Sequence, residues 1–229
     1  MYSTDRPEFK LNMDYFHLHA QNDGIKDILK EFIEDSINLV NQKFQKIEQE
    51  YQRISKENDD EAQIYYQHDY EPRRITSIEL KESIVNCGIG FLFSQFEVKF
   101  FELASIVKEK FHGIEINDYK NKCKRNNKGI NLARSYIIDT SGINISDLEK
   151  DWFKIKQFQN LRHCLIHRNG LVMKEQSIID MAKNNPNINH HIESDKIFAN
   201  KIYLFETSEL VFDYLFKTME RLTLKTEKQ

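Results

Sequence analysis

Two long runs of apolar residues spaced three and four apart constrain this chain more than any other feature. In the first, Gly24 to about Asn58, the apolar positions are Ile25, Ile28, Leu29, Phe32, Ile33, Leu39, Val40, Phe44, Ile47, Tyr51 and Ile54. In the second, Ser77 to Phe111, they are Ile78, Ile84, Val85, Phe91, Leu92, Phe96, Phe100, Leu103, Ala104 and Val107. A period near 3.6 places such residues on one stripe of an α-helix, which must then be buried against a partner. With only 7 Gly and 3 Pro in 229 residues, turn-rich β architectures are disfavoured. The expected class is all-α.

The remainder of the chain fits that class. Glu57 to Asp60 are polar and acidic and Pro72 follows, so the stretch between the long runs reads as a connection. Gly88 and Gly90 weaken the middle of the second run; they allow close approach of another helix or mark a bend. Gly113 stops it. Residues 118–128 are polar and basic, and Leu132 to Ile138 resume a short helical pattern that ends near Ser141 and Gly142. Ser146 and Glu149 have capping-box spacing, so a helix is expected to start there and to stop at Asn169-Gly170. Lys183 to His191 reads as an Asn-rich loop and Lys201 to Phe205 as a short strand, giving a minor strand pair before a last helix capped by Thr207 or Ser208. The division expected is an N-terminal helical extension, 1–74, on a helical domain, 75–229.

Composition narrows the setting. Cys87, Cys123 and Cys164 are odd in number and far apart, which suits a reducing compartment. Asp5, Arg6, Glu8, Lys10 and Asp14 break up any signal-peptide pattern, and Glu97, Lys99 and Glu102 interrupt the most apolar stretch. A cytoplasmic location without membrane contact is expected. A net charge of −3 exerts no general pull on a polyanion, so nucleic-acid contact requires a local basic patch. Lys122, Lys124, Arg125 and Lys128, with Lys120 and Arg134, are either that patch or a solvated linker.

The chemistry concentrates in Asn160-Leu161-Arg162-His163-Cys164-Leu165-Ile166-His167-Arg168-Asn169-Gly170. Imidazole, with an ordinary pKa of about 6.5, both takes and gives a proton near neutral pH. Arginine presents a permanent planar charge that matches two phosphate oxygens at once. These groups suit phosphodiester cleavage by an internal 2′-hydroxyl, which restricts the substrate to RNA. Asn160, His163 and His167 share a helix face, whereas Arg162 and His167, five apart, should point roughly 140° away from each other. Two copies across a twofold axis would bring two Arg162 and two His167 around one phosphate. Cationic residues also favour a helix C-terminus for electrostatic reasons alone, and Arg168 can serve either purpose. His163 is a supporting hydrogen-bond partner or a solvated residue. Cys164 reads as a small apolar packing group, Ser94 and Glu97 as core-facing polar residues or partner contacts, and His190-His191 as non-catalytic. A zinc site would need ligands beyond the histidine pair, and no metal or other cofactor is expected.

Arg162-His163-Cys164-Leu165-Ile166-His167 resembles the ribonuclease motif of HEPN domains, an arginine followed after four to six residues by a histidine, with a polar residue often next to the arginine. The order of segments from about Ser77 onward resembles that family too. The resemblance implies an up-and-down helical bundle, dimerisation through the motif helices and metal-independent RNA cleavage in toxin, antiviral or RNA-processing roles. Arg162 and His167 would then be catalytic, with Asn160 and His163 in support and a neutralising protein as a further partner. The alternatives are a non-catalytic module of the same kind that binds RNA, nucleotide or protein, and a purely structural helical adaptor.

Overall fold

The computed structural model describes residues 13–122 and 128–226. Asp5, Arg6, Glu8 and Lys10, and Lys124, Arg125 and Cys123 of the basic segment, lie outside the described residues. The architecture is an all-α bundle carrying one two-stranded sheet just before its last helix. Its helices are α1 (Met13–Glu57), α2 (Asp59–Tyr65), α3 (Glu71–Lys110), α4 (Ile116–Lys122), α5 (Ile130–Ser141), α6 (Glu149–His167), α7 (Gln176–Asn184) and α8 (Lys201–Thr226). Strands β1 (Ile188–His191) and β2 (Lys196–Ala199) pair antiparallel, with Ile188 opposite Ala199 and His191 opposite Lys196.

The acidic segment after the first long run is not a connection. Asn58 alone separates α1 from α2: its Oδ1 accepts from the backbone N–H groups of Asp60 and Glu61, and Asp59, Asp60 and Glu61 form the acidic first turn. Anionic residues at an N-terminus complement the helix dipole, so a polar run that resembles a linker is a helix start. A π turn, Tyr66–Tyr70, then joins α2 to α3 without a break in helical backbone. Its wider loop precedes Pro72, which has no N–H to offer an ordinary helical ladder. Helical backbone therefore runs straight through residue 74. Tyr70 packs on Tyr51 and Phe44 of α1, with ring centroids 4.7 and 5.6 Å apart, holding the π turn to that helix.

The other differences lie near the C-terminus. The segment expected to be a strand, Lys201 to Phe205, is the first turn of α8, and the Asn-rich segment supplies β1. Asn200 caps α8 by accepting from the N–H of Tyr203, while Thr207 and Ser208 are buried within the helix. Asn185, Asn187 and Asn200 bond one another's amides and backbone, the short-range bonding to which asparagine is suited. The Ser146/Glu149 box is replaced by a 3₁₀ turn, Ser146–Leu148, and the Glu149 carboxylate accepts from Arg134 instead.

The chain packs as two compact units, and α1, α3, α6 and α8 contribute to both. One comprises the described residues of Met1–Lys26, Phe93–Lys156 and Ser208–Gln229. Its core surrounds Phe96, Phe100, Tyr136, Ile155 and Tyr214, with Trp152 and Tyr214 rings 5.4 Å apart. The other comprises Asp27–Leu92 and Gln157–Thr207, packed around Ile33, Ile89, Phe158, Leu161 and Leu204. Gly88 brings α3 against Ile33 of α1 and Leu204 of α8, and helical backbone continues through it, so this glycine serves close packing and not a bend.

Among the described residues, one helix, Asp59–Lys110, is long and apolar enough by length and composition to cross a membrane. The apolar residues responsible for that character include Val85, Ile89 and Leu92 in one unit and Phe96, Phe100, Leu103 and Val107 in the other, all buried in the protein core.

Candidate functional site at the end of α6

The C-terminal turns of α6 present two different faces. Leu161, Cys164 and Leu165 are buried in the unit formed by Asp27–Leu92 and Gln157–Thr207, so the opposite face carries Asn160, His163 and His167 at the surface. Arg162 and Arg168 are half-buried. The His163 and His167 rings lie side by side, 4.9 Å between centroids, as the four-residue spacing requires.

Arg162 departs from the helical-wheel expectation. Its Nη1 lies 2.8 Å from Nε2 of His167. Helical spacing fixes only where the Cβ atoms point. A guanidinium on a long, flexible stem extends well beyond its own direction and here curls toward the last turn. The structure therefore joins within one copy the two residues expected to diverge. Because a guanidinium only donates, a hydrogen bond at this contact requires Nε2 as the acceptor, with the ring proton on Nδ1.

The helix stops where expected. Asn169 and Gly170 both adopt left-handed backbone, φ +51° and +78°, and the Gly170 N–H bonds to the Cys164 carbonyl at 3.1 Å. Gly170 also lies against β2: its carbonyl accepts from the Ile197 N–H at 2.9 Å, and a Cβ there would sit 2.8 Å from the Ile197 oxygen. The Cys164 thiol donates to the Leu171 carbonyl, and burial pushes its pKa up, so it behaves as a packing group with little thiolate character.

Arg168 is held by Glu175, the residue that precedes α7, with Nη1 2.7 Å from Oε2. Asp195, beyond β1, accepts from the N–H of Met173 and contacts Nε2 of His190 at 3.2 Å. These acidic partners were not legible in sequence. Glu175 follows the helix stop and Asp195 lies 28 positions after His167, so no helical spacing connects either to the motif. Glu82 on α3 is a third such residue; burial raises its carboxyl pKa, an effect that His191 and Lys196 of the sheet partly offset.

The remaining expected residues lie elsewhere. Lys122, in the last turn of α4, and Lys128 are exposed and belong to the unit containing Phe93–Lys156. Arg134 of that unit is committed to its own structure: it stacks over Trp152 at 4.9 Å and donates to Tyr214 and Glu149. Ser94 is exposed, contrary to a core-facing role, and Phe93, Phe96 and Phe100 are buried whereas Phe91 is exposed. Among the described residues, no group of three or more His, Cys, Asp or Glu is placed to hold a metal ion.

The α6 end thus offers one accessible imidazole, an adjacent guanidinium and a second imidazole, on a support fixed by β2 and by the residue that precedes α7. No protein-family model, no curated protein and no solved structure matches this chain.

Proposed function

We propose that the chain is a HEPN-type endoribonuclease that cuts RNA without a metal and acts as a homodimer through its α6 ends. The observation that supports this reading best is the surface contact between Arg162 and His167, 2.8 Å, which unites a phosphate-binding cation and a proton-transfer group. Dipole compensation at a helix C-terminus gives no reason for the guanidinium to turn to an uncharged ring nitrogen, because that effect acts on the exposed end carbonyls.

In the reaction, Nε2 of His167 takes the proton of a ribose 2′-hydroxyl. The 2′ oxygen forms a bond to phosphorus, and the bond from phosphorus to the 5′ oxygen breaks. That oxygen leaves with a proton from the protonated His167 of a second copy, while Arg162 stabilises the phosphorane charge. His163 and Asn160 line the same face and support the phosphate and the ring. Lys122, Lys124, Arg125, Lys128 and Arg168 are proposed RNA contacts; for Arg168 this requires exchange of its bond to Glu175. The reading also carries a cytoplasmic toxin or antiviral role with a neutralising protein partner.

The test is incubation of wild-type and His167→Ala protein with total cellular RNA, with chelator present and absent, followed by mapping of the ends. The expected products carry 2′,3′-cyclic phosphate and 5′-hydroxyl ends, chelator changes nothing, and His167→Ala loses activity by about 10²-fold or more. Cutting by the variant at the wild-type rate sinks the assignment. RNA that is bound and never cut assigns the same face to recognition alone.

A further inference from the structure

In the free protein, the nitrogen that would act as base is already occupied. Nε2 of His167 lies 2.8 Å from a guanidinium that has donors and no acceptor and keeps its proton under all ordinary conditions. The contact therefore exists only with the neutral ring protonated at Nδ1, and an imidazolium at His167 would place N–H against N–H. The other ring at the site, His163, is a second nitrogen base 4.9 Å away.

We infer that Arg162 is a positioning residue as well as a phosphate ligand: it sets the tautomer of His167 and covers Nε2 until a phosphate group takes the guanidinium away. A phosphodiester presents two oxygens in the geometry a guanidinium matches with paired, charge-assisted bonds, which are stronger than a single bond to a neutral imidazole. Arg162 is half-buried and its Nη1 lies beside an exposed ring, where a phosphate oxygen can reach it. The exchange leaves Nε2 bare, with Nδ1 still protonated. That is the form able to take the 2′ proton, which then resides on Nε2. One event binds the substrate and uncovers the base, so the imidazole becomes available only when the group to be cut is present. The consequence for catalysis rests on the nuclease reading; the tautomer and its response to phosphate do not.

Long-range proton–nitrogen NMR of the histidine rings in the full chain, with the His167 signals assigned from the His167→Gln spectrum, reads the tautomer directly at a pH where the ring is neutral. The expected result is a single Nδ1–H form for His167 in the free protein. Arg162→Ala should lose that preference, as should Arg162→Leu, which keeps an apolar stem and removes only the donors. Inorganic phosphate, compared with chloride at equal ionic strength, should shift Nε2 of wild-type His167 and leave it unmoved in both variants. A short single-stranded DNA, which carries the diester without a 2′-hydroxyl, should act as phosphate does. An Nε2–H ring in the free wild type overturns the inference, as does an unchanged tautomer in a folded Arg162 variant or a phosphate response that survives loss of Arg162. RNA cleavage by the same preparations separates the two ideas. Cutting with an Nε2–H resting ring refutes this inference alone, and the expected tautomer without cutting refutes the nuclease alone.

Discussion

Two glycines on α3, two residues apart, should respond to alanine with opposite signs. A Cβ added at Gly88 would lie 2.6 Å from Cδ2 of Leu204 and 2.8 Å from Cδ1 of Ile33. Both neighbours are fully buried, at 0% exposure, and have no space to retreat into. At Gly90 the nearest atom is Cδ1 of Ile166 at 3.4 Å, an ordinary contact with a side chain that is 40% exposed. Alanine in a helix interior gains roughly 0.5–1 kcal/mol over glycine at either site. Overpacking a closed core costs about 1–3 kcal/mol. Gly88→Ala should therefore destabilise by about 1 kcal/mol, and Gly90→Ala should stabilise by up to about 1 kcal/mol. For a chain of this size each kcal/mol moves Tm by about 2–4 °C. Thermal unfolding followed by circular dichroism should place Gly88→Ala below wild type and Gly90→Ala above it, and Ile33→Val should recover part of the Gly88→Ala loss. Equal Tm gains in both variants would refute the close approach of α1, α3 and α8 at Gly88.

Three further outcomes follow from individual side chains. Gly170→Ala places a Cβ on left-handed backbone, which costs about 1–2 kcal/mol, and against the Ile197 carbonyl; Tm should fall by several degrees and hydrogen exchange at the end of α6 should accelerate, whereas exchange unchanged there would argue against the contact with β2. Asn22 is 1% exposed and neither of its amide atoms has a hydrogen-bond partner among the described residues, so Asn22→Leu should raise the denaturant midpoint by the equivalent of about 1–2 kcal/mol, and a lower midpoint would show that the amide is satisfied. Burial holds the Tyr214 phenol neutral and pushes its pKa from 10.0 up to about 12, with Arg134 acting in the opposite direction. The unfolded chain ionises first, so this stabilisation is complete below pH 10 and is lost as pH rises toward 12. Stability measured across that window should fall less steeply in Tyr214→Phe than in wild type.

How far the sequence reveals this protein depends on the range of the interaction. Helices over Gly24–Asn58 and Ser77–Phe111 were legible because a helix writes its buried face into a local period that survives in one dimension. The stop at Asn169-Gly170 was legible for the same reason, since a left-handed cap is a property of two adjacent residues. Local patterns misled where one composition serves two purposes. The run Asn58-Asp59-Asp60-Glu61 carries the polarity of a linker and the chemistry of a helix start, and the asparagines from Asn184 to Asn200 carry that of a loop while building a hairpin and a cap.

At the candidate site the division is sharper. The sequence by itself determined which groups sit at the end of α6 and that His163 and His167 share a face, because 100° per residue settles both, and the residue type of Cys164 marked it as a packing group. Only the tertiary structure decided that Arg162 meets His167, that Glu175 engages Arg168, that Gly170 rests on Ile197, and that the histidine face remains at the surface. Each of these depends on where a long side chain ends or where a segment distant along the chain comes to lie, and neither quantity is encoded in residue spacing.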